Sequence, residues 1–405
     1  MPAPPPLPAN AAPPLAIVAL ALAAMASGMS LRVADPLLPR LAREFSIPLG
    51  QASQVVTAFA VAYGLAQVLF GPLGDRYGKV RVVAWACAAS ALTSLGCALA
   101  RDLGSLMAAR LLAGTTAAAV IPLSMAWIGD AVPYERRQPV LARFLIGQIT
   151  GFAGGVWLGG YAAEHLDWRT PFFAIAAVFA AVALLLHGLR RRLPTTGVPR
   201  HALGFARMAG EFRAVLAVRW ARVVLLAVAC EGAALSGAFP FIVAHLHQRF
   251  GLPLSTAGAM VMLFAAGGLA FALAARRLVR ALGEVALVRW GSVLIATALA
   301  VVALAPQGWW APPACVVMGL GYYMMHNTLQ TQATQMAPER RGAAVAAFAS
   351  SFFLGQSAGV ALMGSALATI GTGGVLIAGA AGVLAVAWGF NRQRRRQEPS
   401  GARPV

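Results

Sequence analysis

The sequence predicts an all-α membrane protein: twelve transmembrane helices arranged as two six-helix halves related by a parallel pseudo-twofold repeat. Three observations carry that expectation. Of 405 residues, 59% are apolar and only 11% are charged, against about 25% charged in a soluble domain. The apolar residues gather into stretches of about 20, the length that crosses a bilayer core. The chain also repeats itself: Phe45, Pro48 and Leu49 match Phe250, Pro253 and Leu254, and Glu135-Arg136-Arg137 matches Glu339-Arg340-Arg341, at offsets of 205 and 204.

The net charge of +19, from 32 basic and 13 acidic residues, would suggest nucleic acid on a soluble fold. Here the basic residues sit in breaks between apolar stretches, so the expected partner is the lipid bilayer and no nucleic acid. Cys87, Cys97, Cys230 and Cys315 lie inside apolar stretches without metal-ligand spacing, so no metal is expected.

The elements follow in order. Residues 1–14 form a Pro/Ala-rich tail without the basic region of a signal peptide, and the first apolar segment is expected to stay as a span. The N-terminal six-helix half occupies 15–189, with spans at 15–38, 50–72, 80–100, 104–129, 139–162 and 170–189. The longest polar interruption, 190–218, is expected to be a cytoplasmic linker. It opens on Arg190-Arg191-Arg192. The C-terminal half, 219–391, has spans at 219–244, 253–275, 285–305, 310–333, 342–368 and 372–391, followed by a basic tail, 392–405. With both termini cytoplasmic, 23 basic residues fall on the cytoplasmic side and five on the other. That asymmetry sets the orientation. The even span number leaves the two copies in the same orientation, with a site between them near the midplane.

Several groups stand out within this frame. Gly71, Gly74, Asp75, Arg76, Gly78, Lys79 and Arg81 crowd the loop after the second span. In the fifth, Gly151, Gly155 and Gly159 lie four apart on one helix face, with Gly160 beside them. Small residues so spaced let membrane helices approach closely. Ionisable residues inside spans are costly and mark function by default. Asp35 and Arg32 lie three apart in the first span, where they can pair with each other. Arg110 lies early in the fourth. Glu231 lies about twelve residues into the seventh, near the midplane, where a carboxylate can exchange protons or bind a cation. The tenth span carries a polar face of Tyr322, His326 and Gln330, flanked by Asn327. Such a stripe suits a cavity and not lipid. Gln148 is a weaker lining candidate.

On these residues the chain resembles the major facilitator superfamily. Gly71, Leu73, Gly74, Asp75, Arg76, Gly78, Lys79 and Arg81 match that family's loop signature between helices two and three. The resemblance implies a conformational latch there, with Asp75 and Arg76 locking the two halves when the site faces outward. In the second half Arg280 stands where Asp75 would be. The run from Gly151 to Gly160 looks like the antiporter signature of drug and metabolite exporters, although Val156 replaces its usual proline. Asp35-Pro36-Leu37-Leu38-Pro39 resembles the first-helix motif of the efflux families. Arg110 matches a fourth-helix basic residue associated with proton transfer.

The expected function is proton-coupled efflux of small organic molecules by alternating access, from a bacterial inner membrane, by a monomer. No cofactor is expected beyond the proton gradient. A proton-coupled importer of a sugar or carboxylate is the alternative, and a membrane sensor or enzyme on the same scaffold is a third. An enzyme would show acidic or His clusters in a polar loop. The one such group, Glu164, His165 and Asp167, is expected to be loop charge.

Overall fold

A computed structural model describes residues 14–189 and 205–396. The expected N-terminal tail, all of the basic C-terminal tail beyond Arg396 and the Arg190-Arg191-Arg192 start of the linker lie outside them. Every regular element among the described residues is helical. The first half comprises α1 (Pro14–Arg32), the short α2 (Leu38–Glu44) and α3 (Leu49–Ala52), α4 (Gln54–Tyr77), α5 (Lys79–Ala98), α6 (Leu103–Ala117), α7 (Val120–Ala131), α8 (Tyr134–His165) and α9 (Thr170–Leu189). The stretch expected as linker contains a helix, α10 (Phe205–Ala217). The second half runs through α11 (Arg219–Glu231), α12 (Phe241–Phe250), α13 (Leu254–Val261), α14 (Phe264–Leu304), α15 (Ala311–Gln335) and α16 (Arg341–Arg395).

Nine helical stretches among the described residues are long and apolar enough to cross a membrane. The two longest, Leu254–Leu304 and Pro338–Arg395, each contain a glycine outside helical geometry: Gly283 (φ 68, ψ 170) and Gly371 (φ 66, ψ 175). A side chain rarely adopts that positive φ, so glycine marks the turn between two helices. α15 is long enough to span but is not among the nine. Its polar residues, the stripe from Tyr322 to Gln332, lower its hydropathy.

The duplication is legible in the packing. In the first half a Cβ on Gly151 or Gly155 would collide with the backbone of Met25 or Met29 on α1. In the second, Gly355 and Gly359 meet Ala229 and Ala233 in the same way. All four pairs are related by 204 residues. The first and seventh spans also break at equivalent prolines, Pro36 and Pro240, because a proline ring clashes with the carbonyl four residues earlier. Beyond Arg32 the chain tightens into three-residue turns (Asp35 N–H to Arg32 O, 3.2 Å; Leu37 N–H to Ala34 O, 3.1 Å). Before Pro240 it widens into a π-helical turn, Gly232–Ser236.

The halves meet along two seams, α4 with α16 and α8 with α13. At one end of the bundle, a Cβ on Gly160 would lie 2.7 Å from the Leu254 carbonyl oxygen and 3.2 Å from Gly258. Its counterpart Gly364 faces Gly50 and Ser53. The 71–81 stretch, expected as a loop, is helical except at Gly78 and lies at the opposite end of α4. Apolar side chains such as Leu92, Leu184 and Leu273 point outward, as a lipid-facing surface requires.

Candidate functional site

The break in α1 leaves Arg32 and Asp35 together on one face. Arg32 Nη1 donates to Asp35 Oδ2 at 3.2 Å, and both side chains are buried. The guanidinium stands 4.7 Å from the ring centroids of Phe152, on α8, and of Phe239, after the π-helical turn. The two rings come from different halves. An Arg so placed combines an ion pair with cation–π contact.

Glu231 ends α11, where the helix changes to the π-helical turn. Such turns recur at functional sites because they re-aim side chains. Its side chain is completely buried. Oε2 lies 3.0 Å from His326 Nδ1, and Oε1 has no hydrogen-bond partner among the described residues. His326 stacks on Tyr322 (centroids 4.9 Å, 20° between planes) and meets Phe352 edge-on at 4.9 Å.

These two buried pairs are joined by aromatic rings. From Arg32 the chain of contacts runs through Phe152 and Phe239 to Phe264, then Tyr322 and His326. It continues through Phe352 and Phe353 to Tyr63 and Phe59, back in the first half. Arg110 caps that end, 4.1 Å from the Phe59 centroid. It is wholly buried, donating to the carbonyls of Ser30 (2.8 Å) and Val55 (3.4 Å). It therefore holds α1, α4 and α6 together.

The structure thus brings together Arg32, Asp35, Glu231, Tyr322 and His326, with Arg110 nearby. Gln148 is half-buried, and Asn327 and Gln330 are exposed. Asn327 and Gln330 lie on α15 beyond His326. In the loop, Lys79 pairs with Asp130 and, at 3.9 Å, with Asp75. Asp75, Arg76 and Arg81 are exposed, and Gly74 nestles against Leu123. Among the described residues these contacts stay inside the first half. Gly71 has nothing nearby, and Gly78 turns the chain at φ 90. Gly151, Gly155 and Gly159 face α1 and the turn after it, whereas Gly160 faces the other half.

Sequence reasoning did not find Phe152, Phe239, Phe264, Phe348 or Phe352. An aromatic residue in an apolar helix carries no signal of its own. It also took Glu164 as loop charge. Instead Glu164 Oε2 accepts the N–H of Leu254 at 2.5 Å, across the seam, at the N-terminus of α13. In the second half Glu284, one residue after Gly283, pairs with Arg394 at 2.6 Å and accepts from Gln332 Nε2 at 2.7 Å. It occupies the place of Lys79 with the opposite charge.

The fold is a multi-pass helical bundle with one buried polar pair in each half. A model of the Major Facilitator Superfamily matches residues 20–360, and the chain belongs to that family, whose members carry small molecules across membranes. It is 28% identical over 200 residues to the multidrug export protein EmrB of Escherichia coli K12, covering 47% of this chain and 39% of that one. It therefore spans well under two thirds of that relative's length. It is 26% identical over 375 residues to YwfA of Bacillus subtilis, an uncharacterised MFS-type transporter, covering 92% and 90%. Among solved structures, the nucleoside transporter NupG matches with a TM-score of 0.74 at 15% identity, covering 94% of this chain and 98% of that one. The human organic anion transporter MFSD10 matches with a TM-score of 0.69 at 19% identity, covering 93% and 100%. At these identities the structures speak for the fold alone.

Proposed function

We propose that the chain is a proton-coupled exporter of small organic molecules, a monomer of the bacterial inner membrane with both termini cytoplasmic. Counting the helices on either side of Gly283 and Gly371 separately, and adding α15, gives twelve spans for it. The observation that carries the reading is the buried Glu231–His326 pair, held by α11 and α15 of the second half. An ionisable pair buried inside membrane spans is costly and marks function by default. Asp35, Glu231 and Arg110 are the proposed proton-coupling residues. The relative EmrB is a multidrug export protein, which supports the outward direction.

Everted membrane vesicles test it. With the lumen acidified, an exporter accumulates substrate inside as protons leave. An importer coupled to protons would instead discharge preloaded substrate along with them. Glu231→Gln should abolish gradient-driven accumulation while leaving the protein in the membrane at normal level. Accumulation at the wild-type rate in that variant removes Glu231 from the mechanism.

A further inference from the structure

We propose that the outer groove between the second part of α14 and the end of α16 holds an anionic phospholipid, with Arg289 and Arg392 on its phosphate and Trp388 beside its glycerol. Such a site requires only the membrane fold, whichever way substrate moves.

Arg289 lies six residues beyond the Gly283 turn, within the helix that runs on to Leu304. A charge inside a span normally faces the protein interior, as Arg32 and Arg110 do. Arg289 does not. It is exposed, on a helix that buries Val288, Gly291 and Ile295 and turns Gly291 toward α15. Arg392, near the end of α16, is exposed as well. Each guanidinium lies over a tryptophan of its own helix, Trp290 at 5.5 Å and Trp388 at 5.2 Å. Neither has an acidic partner among the described residues. Glu284, the nearest acid along the chain to Arg289, is already engaged by Arg394 and Gln332.

Two contacts fix how these side chains stand to one another. Asn391 Nδ2 donates to the Val285 carbonyl at 3.3 Å. At the other end of the same two helices, a Cβ on Gly373 would lie 3.9 Å from the Ala303 carbonyl oxygen. The helices therefore run antiparallel. Residues three or four apart share a helix face. Arg289 thus shares the face of Val285, and Trp388 that of Asn391, at nearly the same level. Arg392 lies one turn beyond Trp388 on the same side. The two arginines are then about 7.5 Å apart along the axis at helical rise. Long side chains that snorkel toward the same membrane face can close on one phosphate from both helices.

The surroundings single out a lipid as the occupant. Trp388 is 66% exposed, and indoles favour the headgroup level of a bilayer. Ile377 and Leu384 continue the exposed side of α16 toward the bilayer centre. Two positive charges, an indole and an apolar strip follow one another in the order of phosphate, glycerol and acyl chain. A soluble anion would use only the first.

Trp388 reports on the groove. The protein is reconstituted into phosphatidylcholine vesicles that include brominated phosphatidylglycerol or brominated phosphatidylcholine. Quenching of Trp388 is the difference between protein with and without Trp388→Phe. The brominated phosphatidylglycerol should be preferred by about fivefold for each arginine engaged. Arg289→Gln and Arg392→Gln should each reduce the preference by that factor, and the double variant should remove it. Arg213→Gln, at an exposed position of α10, should leave it unchanged. Brominated phosphatidylcholine should quench Trp388 equally in all variants, which shows that the helix pair has kept its place. Equal quenching by the two lipids in the wild type would overturn the proposal. So would a preference that survives the double variant, or one that falls as far in Arg213→Gln, the mark of diffuse surface charge. Loss of the preference on adding millimolar glycerol phosphate would assign the arginines to a soluble anion and overturn it too.

Discussion

At the residue scale, the cost of an ionisable group in a membrane made Arg32, Asp35, Arg110, Glu231 and His326 visible in the sequence. Their partners were not visible. Glu231 and His326 are 95 residues apart, and only the packing of α11 beside α15 joins them. A spacing of four places Gln330 one turn beyond His326, where its side chain is exposed. Arg110 shows why residue type matters beyond charge. Its fork reaches two carbonyls in different helices while its plane covers Phe59. A lysine is a point charge without that geometry. Arg110→Lys should therefore cost about 1.5–3 kcal/mol, the worth of a hydrogen bond to a charged group, read as a lower unfolding temperature in detergent. An unchanged unfolding temperature would refute the bracing role.

At the scale of helices, the repeat alone carries most of the architecture. It places Gly151 with Gly355 and Gly155 with Gly359, and each pair proves to be a notch for the facing backbone. Gly355→Ala should force α16 away from α11, at the ~1–3 kcal/mol typical of overpacking. Gly389→Ala, where a Cβ meets nothing within 4 Å, should be neutral or slightly stabilising, since alanine favours the helix. Equal unfolding temperatures for the two variants would contradict the notch. The sequence misled where the copies have diverged. The loop before Gly283 looks degenerate, yet Glu284 replaces Lys79 with reversed polarity, tying its helix to α15 as Lys79 ties α5 to α7. α10 falls where polarity alone suggested a linker. Its residues are too mixed for a span but carry an amphipathic pattern.

At the scale of the whole molecule, two seams close one end of the bundle and the loop end is left without a bridge among the described residues. Glu164 belongs to the closed end. Its carboxylate accepts an N–H at the start of α13, where the helix dipole favours negative charge. Glu164→Ala removes about 1.5–3 kcal/mol from the closed arrangement alone, so the state open at that end should become at least about tenfold more populated. Spin labels at Gln51 and Ser365, both exposed and flanking the Gly50–Gly364 contact, in a background lacking Cys230, should show a longer distance gaining weight. A distance distribution equal to the wild type's would dismiss the clasp.

The paired seams have a genealogical consequence. Gly160 against Gly258 and Gly364 against Ser53 are one contact made twice, the reciprocal pattern of an isologous dimer. Such a seam could have joined two identical six-helix subunits before one chain held both. What the fused copies no longer share is charge. At the positions 204 residues from Arg32, Asp35 and Glu231 stand Ser236, Phe239 and Ser27. Identical subunits would meet a proton with equal responses on both sides. After fusion, one side holds Arg32 against Asp35 and the other Glu231 against His326, and the shared seam became a joint between unlike partners.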